Sequence, residues 1–137
     1  MNIKNIWKDV VLPLEKHTDE RGGIVDIFYD TPMSHITFIK SEPKAVRGNH
    51  YHKETTQHML ITKGSLTYWY KPLASDEPAK YILVRAGDLV TTPPNEIHAL
   101  VIGDDGNEFI VFTEGLRGGK DYEKDTFRVE TIIGNSS

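Results

Sequence analysis

His50 and His52 lie one residue apart in Arg47-Gly48-Asn49-His50-Tyr51-His52-Lys53, and Gln57 follows five residues later. Side chains on a strand repeat with period two, so both imidazoles project from one face. A turn after His52 would carry Gln57 to the same pocket. A second piece comes about forty residues on: Gly87, then Pro93-Pro94-Asn95-Glu96-Ile97-His98. Together the two pieces predict a small β-barrel site where three imidazoles and one amide converge. Such a group has two uses. It can hold a divalent ion through His50, His52, Gln57 and His98. The candidate ions are zinc, iron, nickel and manganese, of which imidazole suits the first three. Three imidazoles also leave coordination positions open, as a catalytic centre requires. Alternatively the rings carry protons, for which an ordinary pKa of about 6.5 suits them. A purely space-filling role is the bland alternative, but two same-face histidines are costly to bury without partners.

The elements that must position these residues are short strands. Turn formers recur every 8 to 12 residues, as an all-β barrel or sandwich requires. The runs between them predict strands at 23–29, 35–40, 46–52, 58–62, 65–70, 79–85, 88–92, 97–102 and 108–113. Asp105-Gly106 is a tight-hairpin signal, and Lys63-Gly64 a second turn. No segment sustains a 3.6-residue apolar period; residues 120–125 predict one helical turn. The architecture expected is a double-sheet jelly roll forming a single domain over residues 1–137. His58 falls on the opposite face from Gln57 and reads as surface or interface. His17 and His35 are isolated and receive no role. The runs at 81–84 and 109–112 are apolar on both faces, so one such face is expected to pack against a second copy in a homodimer.

Length and charge narrow the classes. The chain has 137 residues, no cysteine and a formal net charge of −4. That size fits one domain with a real core. The charge balance argues against a nucleic-acid partner. Without cysteine there is neither disulfide, thiolate ligand nor thiol nucleophile. The first nine residues do not form a signal peptide, and no apolar run approaches the roughly 20 residues of a membrane span. A cytoplasmic protein with no membrane contact is expected.

The histidine pattern resembles that of the cupins: His-x-His, an acidic residue four or five positions on, a glycine, then Gly-x5-Pro-x-Gly-x2-His. His50, His52 and Gly64 fit the first half, with Gln57 where glutamate is usual. Gly87, Pro93 and His98 fit the second, with Asn95 where glycine is usual. Asp19-Glu20-Arg21-Gly22 resembles the Asp-x-Arg-Gly signature of RmlC-like cupins that act on nucleotide-linked 4-keto sugars. Three branches share these motifs. The dTDP-4-keto-6-deoxyglucose 3,4-ketoisomerases are matched at His50, His52, Lys53 and Gln57. The dTDP-4-dehydrorhamnose 3,5-epimerases are matched at Arg47, Gly48, His50 and Tyr51. The cupin domain of capsular polysaccharide proteins acting on UDP-hexuloses resembles Arg47 to His52, carries a metal, and has a tail similar to 120–126. The likeness spans roughly residues 15 to 127. Ketoisomerases carry tyrosine in the strand where this chain has Ile36-Thr37-Phe38, and the third branch has glutamate at the Gln57 position.

That resemblance implies an isomerase working on a nucleotide-sugar substrate. A C4 ketone acidifies the hydrogens on C3 and C5, so the site needs a base, a donor to the enolate oxygen and an acid. His50 and His52 would divide the proton transfers of a 3,4-ketoisomerisation. A C3 epimerisation needs a donor from the opposite side, for which Tyr68 or Tyr70 is the candidate, one of the two pointing inward. Arg21 and Arg47 would hold the diphosphate. Lys53 would contact phosphate or the enolate oxygen, Gln57 the substrate, and Trp69 or Tyr51 a base. The rivals are a metal-dependent oxygenase built on His50, His52 and His98, and a cupin module that binds a small molecule without turnover.

Overall fold

The computed structural model describes residues 1–115 and 123–134. Ten strands follow in order: β1 (Asn2–Asn5), β2 (Lys16–Asp19), β3 (Gly22–Val25), β4 (His35–Ser41), β5 (Val46–Tyr51), β6 (Thr56–Pro72), β7 (Lys80–Arg85), β8 (Asp88–Thr92), β9 (Glu96–Glu114) and β10 (Phe127–Arg128). Of the predicted helical turn, Glu123 and Lys124 are helical, Asp125 is in a turn, and 120–122 lie outside the described residues. No helix among the described residues is long and apolar enough to cross a membrane.

Two long strands organise everything else. β6 and β9 pair antiparallel over nearly their whole length, from Thr56↔Glu114 to Pro72↔Glu96. The first half of β6 also pairs with β8, and the second half with β7. Likewise the first half of β9 pairs with β5 and the second with β4. Two layers result, β1-β8-β6-β9-β4 and β7-β6-β9-β5-β10, with β6 and β9 shared by both. This is the all-β double-layered jelly roll expected. β2 and β3 form a separate hairpin.

Both predicted breaks within these strands were misplaced. Lys63-Gly64 does not end a strand, and Asp105-Gly106 does not make a hairpin. Each pair marks the corner where β6 and β9 bend together, and the register slips on either side of Gly64. Gly64 and Gly106 have φ of 79° and 76°. A turn-forming residue bends a long strand as readily as it ends one, and only pairing to a distant strand decides which. A Cβ on Gly64 would overlap the Gly106 carbonyl. Gly64→Ala is therefore expected to cost about 2 kcal/mol, from a strained φ and that clash; urea unfolding with an unchanged m-value measures it. The sequence pattern also missed β1, β2 and β10, which are too short to show periodicity.

The core lies between the layers. Met59, Ile61, Leu66, Val84, Val90, Leu100, Ile102, Phe109 and Val111 are buried together there with Tyr68. Strand alternation is cleanest in the second half of β9. On β9, Phe109, Val111 and Thr113 face inward, while Ile110 and Phe112 face out beside the exposed Ile36 and Phe38 of β4.

Candidate active site

Between the two layers, on the side of β4 and β5, lies a cavity of about 550 Å³. Its walls include His35, Thr37 and Ile39 of β4, Arg47 and His50 of β5, and Gln57 and Met59 of β6. His98, Leu100, Phe109, Val111 and Thr113 of β9 and Arg128 of β10 complete it.

Three imidazoles converge at one end. The ligating nitrogens of His50, His52 and His98 lie within 4.8 Å of one another, and the ring centroids are 4.6 to 5.6 Å apart. Their meeting follows from strand registry. His50 is the direct cross-strand partner of His98, and the period-two rule puts His52 beside His50. Gly48 permits the close approach of β5 to β9, since a Cβ there would lie 2.8 Å from the His98 carbonyl oxygen. Asn49 then takes φ of 57° and absorbs a slip in register.

Two of the three tautomers are set by neighbours. His52 Nδ1–H donates to the Asp125 carbonyl at 2.8 Å, and His98 Nδ1–H to the Glu96 carbonyl at 3.2 Å. A carbonyl only accepts, so in the neutral form of each ring the lone pair falls on Nε2. Burial lowers the His50 pKa to about 4, helped by the nearby charges of His52 and Arg128. Burial, then His50, lowers that of His98 to about 3. His50 and His98 are therefore neutral at pH 7. Neutral imidazoles with carbonyl-anchored Nδ1–H groups are what a divalent transition-metal ion requires. The 4.8 Å limit exceeds the roughly 3.4 Å between ligands of a tetrahedral zinc. Small ring rotations close that gap, so the residues fit such an ion.

Asp125 supports this arrangement and carried no role in the sequence reading. Its carboxylate is buried, accepting from Lys53 N–H (2.9 Å), Glu54 N–H (3.1 Å) and the Thr55 hydroxyl (2.8 Å). Burial pushes its pKa up, but these hydrogen bonds outweigh that and hold it below the usual value.

The other predicted residues fall into two groups. Gln57 and Arg47 line the cavity, Arg47 being braced by Ser41 Oγ at 2.9 Å and the Lys40 carbonyl. Arg21 does not reach it: on the exposed β2–β3 turn it grips Asp19 at 2.7 Å. Lys53 lies outside the lining, its ammonium 4.4 Å from the Phe127 ring centroid. The division expected between Tyr68 and Tyr70 is corrected. Residues two apart share a face, and both turn inward with ring centroids 5.8 Å apart. Neither lines the cavity. Tyr68 is wholly buried, sharing a hydrogen bond with Thr92 and donating to Glu96 Oε1 at 3.2 Å. Burial raises its pKa well above 10. Trp69 packs on Tyr81 and Tyr51 stacks on Phe127. His58 points away from Gln57 as expected, but it is mostly covered rather than at the surface, held by Thr91 and Glu114 and packed against Phe28. His35, given no role, faces the cavity beside Thr37. The alternation His35-Thr37-Ile39 would have revealed it once the inner face of β4 was known.

The fold is the cupin-type jelly roll that the motif resemblance implied, and it is shared with solved structures of RmlC-like cupins. Residues 17–115 match the polysaccharide biosynthesis C-terminal domain family, and the chain belongs to it. A curated relative from Pseudomonas aeruginosa, UDP-2-acetamido-2,6-beta-L-arabino-hexul-4-ose reductase, is 27% identical over 93 residues, covering 65% of this chain. The chain spans 24% of the length of that relative. Among solved structures, a double mutant of the QdtA 3,4-ketoisomerase from Thermoanaerobacterium thermosaccharolyticum, in complex with TDP, is 20% identical, with a TM-score of 0.67. The alignment covers 85% of this chain and 83% of that one. The capsular polysaccharide assembling protein CapF from Staphylococcus aureus is 21% identical with a TM-score of 0.63, over 87% of this chain and 35% of that one.

Proposed function

We propose that this chain is an isomerase that enolises a nucleotide-linked 4-keto-6-deoxy sugar, leading to 3,4-ketoisomerisation or C3 epimerisation. The observation that carries this reading is the convergence of His50, His52 and His98 beside a cavity large enough for a sugar ring. The match to a polysaccharide biosynthesis family supports the setting. The names of the similar proteins supply the substrate class: a UDP-linked hexul-4-ose for one, TDP bound to another.

The residues take the following roles. His50 lines the cavity and contacts the hydrogen-bearing carbon next to the ketone. Gln57, on the adjoining wall, donates its amide N–H to the sugar carbonyl or to a hydroxyl. Arg47 contacts the diphosphate, pre-set by Ser41. His52 and His98 keep their Nε2 lone pairs toward the cluster because their Nδ1–H groups are spoken for. Alternatively the three rings would hold a divalent ion, with Gln57 as the fourth ligand candidate, and His50 would then be a ligand rather than the proton acceptor. When bound, such an ion would supply Lewis acidity at the site. The buried Tyr68 supports His98, on which it stacks with 4° between the ring planes. The exposed apolar face around Ile36 and Phe38 suits a second copy of the chain, giving a homodimer.

Proton NMR in deuterated water tests the reading, with dTDP- and UDP-linked 4-keto-6-deoxy sugars supplied in turn. Loss of the C3 proton signal with a new product is expected. Ring couplings of the product separate ketoisomerisation from epimerisation, and slowing by chelator reports the metal. No exchange with either substrate rejects an isomerase.

A further inference from the structure

The net charge is −4, yet the charged side chains among the described residues lining the cavity are two arginines, Arg47 and Arg128, with no carboxylate. A locally cationic cavity in an acidic protein calls for an anionic ligand. Arg128 comes from beyond residue 115, where the family match ends. It rides on β10, directly opposite His50.

Its placement is built. Val129 N–H donates to the Asn49 carbonyl and Ile132 N–H to Asn49 Oδ1, both at 2.9 Å. On the other side of Arg128, Phe127 stacks on Tyr51 and Asp125 anchors the chain. The guanidinium is 65% exposed and holds Glu123 in a parallel two-point pair, both contacts at 3.2 Å. An exposed pair of this kind contributes little to stability and exchanges readily for a better anion. Two oxygens of a diphosphate offer the same fork-to-fork geometry as a carboxylate, with more charge.

We propose that Arg128 is a diphosphate-binding residue of the cavity, and that Glu123 occupies its guanidinium until the substrate displaces it. This rests on the nucleotide-sugar reading above and adds the residue that selects the anionic half of the substrate. The carboxylate then acts as an internal competitor. Removing the guanidinium weakens binding, and removing the carboxylate's charge strengthens it.

Isothermal titration calorimetry of the full chain with UDP, dTDP and inorganic pyrophosphate tests this in wild type, Arg128→Ala, Arg128→Lys and Glu123→Gln. Arg128→Ala is expected to weaken all three ligands roughly ten- to hundredfold, the loss of a charge-assisted pair. Arg128→Lys recovers part of that loss. Glu123→Gln tightens binding a few-fold, and the melting temperatures stay unchanged because both side chains are exposed. Arg128→Ala binding as tightly as wild type overturns the proposal while leaving the nucleotide-sugar reading intact. Arginine-dependent binding of pyrophosphate without sugar turnover supports the anion site and removes the isomerase reading. Failure of wild type to bind any of the three overturns the anion site.

Discussion

Replacing His50 with alanine is expected to lower the rate of C–H exchange at the substrate by roughly 10²–10⁴, the range for loss of a group that moves a proton in the transition state. His50 lines the cavity and touches the other two rings, and unlike His98 it is not fully buried. It is only partly buried, so the fold should tolerate the change, and a melting temperature close to wild type provides the control. Metal analysis of the same variant adds a second readout. If the rings hold an ion, losing one of three imidazoles lowers the metal content as well as the rate. A rate within a few-fold of wild type would remove His50 from the chemistry.

Asp125→Ala is expected to destabilise the protein by about 3 kcal/mol, since the Lys53 and Glu54 amides and the Thr55 hydroxyl lose a charged acceptor at a buried site. The melting temperature should fall by about 10 °C. The effect extends to the site, because the backbone carbonyl of Asp125 sets the His52 ring. Asp125→Asn retains one acceptor oxygen and should lose about half as much. Thermal unfolding of the two variants checks the order. An alanine variant as stable as wild type would mean the loop from Lys53 to Thr55 holds its shape unaided.

How much of this was legible depended on how local the cause was. The shared face of His50 and His52 follows from strand periodicity alone, and the spacing to His98 marks a second strand. Both survive because each needs only a few consecutive residues to be extended. The same rule, properly applied, puts Tyr68 and Tyr70 on one side, so that misreading was avoidable. The continuity of β6 through Gly64 was not legible. Glycine signals a positive φ, and whether that ends a strand or bends it is decided by β9, forty residues away. His35, Asp125 and Arg128 were missed for the same reason. Arg128 and Asp125 lie about seventy to eighty residues from the histidines they adjoin, and nothing in their neighbours' spacing announces the meeting. Arg21 errs the other way: a motif suggested a site residue, and within this chain its guanidinium pairs with Asp19.

The sharing of β6 and β9 by both layers bears on how a ligand enters. Prising the layers apart would mean unbending both paired strands at once at the corner near Gly64 and Gly106. The cavity therefore does not breathe like a clam shell. Exchange with solvent must run through the seam between β4 and β5, where no ladder joins the edges. Amide hydrogen exchange would read this directly: the β6 and β9 amides open only with global unfolding, while those of β4, β5 and β10 open at lower free energy. Ligand access is then governed by edge fraying, leaving His98 on β9 undisturbed.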